Sequence, residues 1–264
     1  MKLTARSNPS VARCRRLLRD AGYRRECGLF ALEGARLCGD AALSGVPVEE
    51  VLYTEKAAET YASQLQMLRA TGAPLREITG DLAAYMGDTA SPQGLFCVCR
   101  FPCNSRVLET ALPRGRYIAL EDMQDPANLG AVIRTAEALG IDGLILSSGC
   151  CDVFNPKVLR GSMGGVFRLP FYHTNSMADA VRLLQTGGLS AFACVVDADA
   201  EPVHTLSFVE GGVCVIGNEG NGLRAETVSA CAHRVTIRMK GRAESLNASM
   251  AAGLVMWEMM RDDG

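Results

Sequence analysis

Apolar and polar positions along this chain alternate between two periods. Runs of apolar and β-branched residues at 28–33, 48–53, 74–78 and 95–101 read as strands. The stretches between them, 34–44, 55–70 and 80–86, read as helices. An opening helix begins at Asn8-Pro9, a capping residue followed by proline in the first turn, and is expected to run to about Ala21, with Gly22 as its stop. Pro92-Gln93-Gly94 carries type II turn chemistry. Together these predict a small α/β sandwich over residues 1–102. Residues 103–115 show no clear apolar period and contain Pro113 and Gly115, which predicts a linker.

A second alternating series fills 116–264, with strands expected at 117–120, 143–146, 166–171, 191–196, 212–216 and 235–237. Helices are expected at 129–139, 156–163, from a cap at Asn175 or Ser176 to Gly187-Gly188, at 224–231 and from Ser245 onward. Leu144-Ile145-Leu146 and Val213-Cys214-Val215-Ile216 are continuously apolar, the mark of a parallel sheet covered on both faces. Such sheets bind ligands beyond the carboxyl ends of their strands. In the last helix Ser245 is the expected cap, and Leu246, Met250, Leu254 and Trp257 form the expected core-facing stripe.

Three loops in this second half are unusually polar or glycine-rich. The first, 121–128, ends at Asn128, read as a helix cap, with Arg134 six residues on. Six helical residues advance about 600°, so the two side chains do not share a face. The second holds Gly217, Gly220 and Gly222 after a buried strand, spaced GxxGxG. Dinucleotide sites use GxGxxG with a ribose-binding acid further on, and phosphate loops carry a lysine; both are missing here. Glu219 would repel a pyrophosphate and better suits a cationic or hydroxyl-rich ligand. The third, 239–247, places Ser245 and Asn247 at the mouth of the last helix. Each loop alone is compatible with nothing more than a turn or a capped helix.

Charge and cysteine content narrow the class. The net charge is −2, but residues 1–25 hold eight basic side chains against Asp20, a local +7 that leaves −9 for the remainder. An arginine face on an otherwise acidic chain suggests an anionic partner such as RNA, with Arg13, Arg15, Arg16 and Arg24 as candidates; a solvated helix face is the alternative. Eleven cysteines without CxxC pairs argue against a disulfide framework and a zinc site, and predict reduced thiols in a cytoplasmic protein. Cys97, Cys99 and Cys103 are a weak metal candidate; none is expected. No apolar run is long enough to span a bilayer, and the N-terminus has no apolar signal segment, so no membrane association is expected.

Taken in order, the loops resemble the SpoU (TrmH-type) branch of the SPOUT RNA methyltransferases. The resemblance rests on Asp125-Pro-x-Asn128-x-Gly130…Arg134, Gly217-x-Glu219-Gly-x-Gly222 and Met239-x-Gly241-x-x-x-Ser245-Leu-Asn247-x-Ser249. Asn155-Pro156-Lys157-Val158…Arg160…Gly164 resembles a further family segment, and Arg238 stands where the family usually has proline. The match covers about 115–260; the preceding region, with Phe30-x-x-Glu33-Gly34, is similar to an L30e-like substrate-binding domain. The resemblance implies a trefoil-knotted α/β domain, a homodimer packed through it, and S-adenosylmethionine (AdoMet) as methyl donor to a ribose 2′-hydroxyl of rRNA or, less favoured, tRNA. It implies AdoMet against Cys194, Gly217, Ile237 and Leu246, and a catalytic group of Arg134, Asn128, Glu219, Ser245 and Asn247, with no metal. Two alternatives stand beside it: a non-catalytic RNA-binding protein on the same folds, and a nicotinamide oxidoreductase, which the glycine spacing disfavours.

Overall fold

The computed structural model describes residues 2–89, 91–108 and 113–261, which group into two compact units. The first comprises Met1–Cys103 together with Asp152–Phe167. Its elements are α1 (Pro9–Arg19), α2 (Ala21–Cys27), β1 (Leu29–Glu33), α3 (Ala35–Leu43), β2 (Val48–Thr54), α4 (Glu55–Thr60), α5 (Ala62–Ala70), β3 (Leu75–Ile78), α6 (Gly80–Met86) and β4 (Leu95–Arg100). The sheet runs β1-β4-β2-β3, antiparallel at both β4 pairings and parallel between β2 and β3.

Two expected helices are each broken in two. The opening helix stops at Arg19 because Asp20 leaves helical geometry and caps a second helix by accepting from the Tyr23 N–H at 2.9 Å; the left-handed Gly28, not Gly22, ends the pair. Tyr61, with φ −120°, separates α4 from α5. Residues 152–167, expected in the second half, supply helix α8 (Pro156–Ser162) to the first unit, where Phe154 packs on Phe30 and Phe101 with ring centroids 4.7 and 4.4 Å apart.

The second unit comprises Asn104–Cys151 and Arg168–Gly264. It contains β5 (Ser105–Arg106), β6 (Arg116–Leu120), α7 (Pro126–Leu139), β7 (Gly143–Ser147), β8 (Phe171–Thr174), α9 (Met177–Thr186), β9 (Ala191–Cys194), β10 (Glu201–Pro202), β11 (Gly212–Ile216), α10 (Ala225–Ala230), β12 (His233–Thr236) and α11 (Ala248–Met260). All pairings in the eight-stranded order β10-β12-β9-β11-β6-β7-β8-β5 are parallel, as the apolar runs predict. The expected linker is partly structured: Ser105–Arg106 adds the edge strand β5 beside β8, while 109–112 lie outside the described residues. The strand expected at 166–171 begins only at Phe171, because Gly165–Phe167 form a 3-10 turn.

The last helix differs from expectation at both its cap and its face. Asn247, not Ser245, caps α11, accepting from the N–H groups of Ser249 (3.0 Å) and Met250 (3.3 Å). Its buried face is Ala252, Val255, Met256 and Met259, against α7. The expected core stripe points outward: Met250 is 61% exposed, Leu254 42% and Trp257 61%.

Candidate active site

Strands β9, β11 and β12 end level with one another, since Val215 pairs with Ala193 and Cys194 with Val235. Beyond their carboxyl ends lies a cleft of about 240 Å³, lined by Cys194, Gly217, Ile237 and Leu246 among apolar walls that include Val203 and Val255. All four residues assigned by resemblance to the cofactor thus share one cavity.

The loop after β11 owes its shape to its own side chains. Asn218 and Gly222 exchange two backbone hydrogen bonds of 3.0 Å. The Asn218 side chain accepts from the Gly220 N–H (2.9 Å) and the Asn221 N–H (3.1 Å) and donates to the Asp122 carbonyl (2.8 Å). Gly217 is required by proximity: a Cβ there would stand 2.2 Å from the Gly222 carbonyl carbon. Gly222 is required by its φ of 67°.

A second, wider hollow of about 730 Å³ adjoins the cleft and shares Glu219, Ser245 and Leu246 with it. Asn128 and Asn247 complete the meeting of the three loops. Glu219 accepts from the N–H groups of Gln124 (3.3 Å) and Asp125 (3.1 Å) and from the Asn128 amide (3.1 Å). Asn128 in turn accepts from the Asn247 amide at 2.9 Å. Partial burial alone would raise the Glu219 carboxyl, but the Asn128 amide and the surrounding backbone N–H groups outweigh it and hold the group below its ordinary value. Glu219 is therefore an anionic brace between loops and not a proton donor. Asn128 is not the helix cap; Asp125 caps α7 by accepting from the Ala127 N–H at 2.7 Å, which frees Asn128 for this network.

Two of the proposed catalytic side chains stand outside that network. Ser245 lines both cavities without a hydrogen bond to any described residue. Arg134 is exposed on α7, has no hydrogen bond or ion pair among the described residues, and lines neither cavity. The described walls of the hollow carry Asp125 and Glu219 but no cation.

One residue escaped the sequence reading. Glu121, 2% exposed, accepts from the Arg224 N–H (2.8 Å) and the Thr227 hydroxyl (2.6 Å), fixing the start of α10 to the end of β6. A carboxylate directly after a buried strand was the available signal.

Of the candidate RNA-contacting arginines, Arg24 belongs to the interior. It is 3% exposed and donates to Asp152 (2.8 and 2.7 Å) and to the Leu17 carbonyl (2.6 Å). Arg13 is held by Glu50 at 2.7 Å. Arg15 stacks on Tyr85, as does Arg6, at 4.4 and 4.6 Å, and Arg16 stacks on Tyr23 at 3.9 Å. Cys97 and Cys99 are buried in β4 and Cys103 is exposed; among the described residues no group of three potential ligands could hold a metal ion.

A parallel α/β unit with a cleft at its strand ends, closed by three interlocking loops, fits the class of SPOUT-type methyltransferases that those loops resemble. The family model described as SpoU rRNA methylase matches residues 115–257, and the chain belongs to that family. Residues 8–97 match the MRM3-like substrate binding domain. The chain is 30% identical to an uncharacterised tRNA/rRNA methyltransferase of Synechocystis, over 98% of this chain and 93% of that one. It is also 30% identical to the 23S rRNA (guanosine-2′-O)-methyltransferase RlmP of Bacillus subtilis, over 89% and 90%. The AdoMet-bound rRNA methyltransferase of Sinorhizobium meliloti superposes with a TM-score of 0.86 at 27% identity, covering 99% of this chain and 98% of that one.

Proposed function

We propose that this chain transfers a methyl group from AdoMet to a ribose 2′-hydroxyl of RNA, rRNA ahead of tRNA. The observation that carries the reading is the shared wall of cleft and hollow, where Glu219 is hydrogen-bonded to Asn128 and through it to Asn247, one residue from each loop.

The donor set of the cleft fits AdoMet. Apolar side chains line the cleft beside the backbone of three strand ends, and the missing Cβ of Gly217 lets backbone approach backbone. Bound there, AdoMet would supply an electrophilic methyl group on a sulfonium centre. Cys194, Gly217, Ile237 and Leu246 hold the donor side, while Asn128, Ser245 and Asn247 face the acceptor ribose. Holding the hydroxyl oxygen about 3 Å from the methyl carbon and in line is the main contribution of such residues.

Arg134 supplies the missing cation. A guanidinium remains protonated at neutral pH, so its work is to orient the ribose or an adjacent phosphate and to stabilise alkoxide charge, not to act as a free base. Arg134 lines neither cavity of its own chain, and the described walls of the hollow carry no cation; both support an Arg134 that reaches the site from a second copy. The exposed stripe Met250, Leu254 and Trp257 on α11, which packs against the helix bearing Arg134, supplies an apolar face for that homodimer. The trefoil knot belongs to the same reading and is supported by family membership. The division into a substrate-binding part at 1–102, a linker at 103–115 and a methyltransferase part at 116–264 is supported by the two matched family models. Eleven free thiols suit a reducing cytoplasm, and among the described residues no helix is long and apolar enough to cross a membrane.

The test is transfer of labelled methyl from AdoMet to unmodified total RNA, followed by nuclease mapping. Label in a 2′-O-methyl nucleotide supports the proposal. Label on a base keeps the fold and overturns the chemistry. Neither transfer nor AdoMet binding returns the chain to the RNA-binding alternative.

A further inference from the structure

The loop joining β12 to α11 carries Arg238, Lys240 and Arg242, separated by Met239 and Gly241. All three cations are exposed, and none has a hydrogen bond or ion pair among the described residues. Several other arginines of the unit are paired instead. Arg114, Arg168, Arg182, Arg224, Arg234 and Arg261 each have a carboxylate within 4.0 Å. The loop's own carboxylate, Glu244, is exposed and pairs with none of the three.

Position adds to composition. Ile237 and Met239 are half-buried and line the cleft, whereas Arg238 and Lys240 are exposed and absent from its wall. Inward apolar residues and outward cations alternate, so the charges crown the rim of the cleft instead of entering it. Ser245 then brings the same loop to both cavities. Three solvated cations at the mouth of a site, on a chain of net charge −2, concentrate positive potential where an acceptor must arrive.

We propose that Arg238, Lys240 and Arg242 grip the phosphodiester backbone flanking the nucleotide in the hollow, so that the second unit holds RNA directly and does not depend on the arginine-rich N-terminus alone. This rests on the reading of the chain as an RNA methyltransferase. Phosphate contacts of this kind position without reading sequence. They act alike on ground and transition states, so their loss raises KM and leaves kcat nearly unchanged.

The experiment uses the full chain, AdoMet and unmodified total rRNA, comparing wild type with R238Q/K240Q/R242Q and with R238K/R242K. AdoMet affinity is measured by calorimetry, methyl transfer at a series of RNA concentrations, and RNA binding from low to moderate salt. The glutamine triple variant should bind AdoMet within about 2-fold of wild type and show KM for RNA raised about 10-fold with kcat within about 2-fold. The slope of log affinity against log salt should fall by about 2–3, at roughly 0.7–0.9 per lost phosphate contact. The lysine variant keeps the charges and should keep the slope, which separates charge from loop shape. An unchanged slope and KM in the triple variant overturns the proposal, leaving the cations merely solvated. AdoMet affinity weakened with KM for RNA unchanged also overturns it, assigning them to the cofactor. Wild type that transfers no methyl would instead defeat the underlying functional reading.

Discussion

Gly217 and Gly220 lie three residues apart in one loop, yet the structure gives them different tolerances. A methyl group at Gly217 would stand 2.2 Å from the Gly222 carbonyl carbon and 2.4 Å from the Leu223 nitrogen, both backbone atoms that no rotamer change can move. Restoring an ordinary 3.4 Å contact displaces the Gly222–Leu223 peptide by 1.2 Å, the difference from 2.2 Å. That shift breaks the two 3.0 Å bonds between Asn218 and Gly222. At about 0.5–1.5 kcal/mol net for each bond, the loop loses about 1–3 kcal/mol. Because Gly217, Asn218 and Gly222 line the cleft, the same shift carries the AdoMet-facing peptides out of place. A methyl group at Gly220 meets only the Asn218 side-chain oxygen, at 3.6 Å, and needs no displacement. Gly217→Ala should therefore weaken AdoMet binding by at least about 10-fold, which corresponds to about 1.4 kcal/mol, while Gly220→Ala stays within about 2-fold. Isothermal calorimetry on the two variants, with thermal unfolding alongside, makes the comparison. Equal damage from both substitutions, or near-normal binding by Gly217→Ala, would refute the claim that close backbone approach shapes the cleft.

Other expectations follow from the same coordinates. Arg134→Ala should abolish methyl transfer and spare AdoMet binding, since Arg134 lines neither cavity; filter binding beside a transfer assay checks it, and either retained transfer or lost AdoMet binding would overturn the assignment. Asn247→Ala removes both the α11 cap and the link to Asn128, and should cost about 1 kcal/mol of stability for the cap together with most of the activity, read by thermal melts and initial rates. Charge at Leu254 and Trp257 (L254E/W257E) should yield monomers in analytical ultracentrifugation, with transfer lost alongside. Burial alone would raise Glu50, but the hydrogen bonds from Ser10, Arg13 and Arg76 outweigh it, so its folded-state value lies below the ordinary 4.5. The unfolded chain then takes up the proton first on acidification; Glu50's contribution is complete above about pH 4.5 and is lost as pH falls through the folded value, a dependence that Glu50→Gln should flatten in acid melts.

The parts of this molecule that could be read from sequence are those set by local chemistry. Pro9 after Asn8 and Gly140 at a left-handed position place helix ends where the structure has them. Continuous apolar runs give a wholly parallel sheet. Reading failed where a residue had two locally equivalent jobs. Asp125 and Asn128 can both cap α7, and only the arrival of Glu219 from 91 residues away decides that Asn128 turns toward the network. Ser245 and Asn247 can both start α11, and Asn128, 119 residues distant, selects Asn247. Arg24 looks like its neighbours in an arginine-rich helix until Asp152, 128 residues on, withdraws it from the surface. In each case the deciding partner is remote in sequence, so no window of local pattern contains it.

The stripe on α11 was misread for a different reason. Periodicity states which residues share a helix face; it does not state which face the rest of the chain covers. Met250, Leu254 and Trp257 share a face, as their spacing requires, but Ala252, Val255, Met256 and Met259 face the chain's own core. A helix apolar on both faces inside one subunit has one covered by its own sheet and helices and the other left for something else. Four of the large exposed apolar side chains among the described residues, Leu246, Met250, Leu254 and Trp257, fall within this one stretch. Leu246 also lines the cleft, so whatever covers the stripe approaches the proposed methyl-transfer site. A second copy would do both jobs at once, burying the stripe and bringing an Arg134 to a hollow whose described walls lack a cation. Catalysis and assembly are then one property: a monomeric variant with an intact fold should bind AdoMet and still fail to methylate RNA.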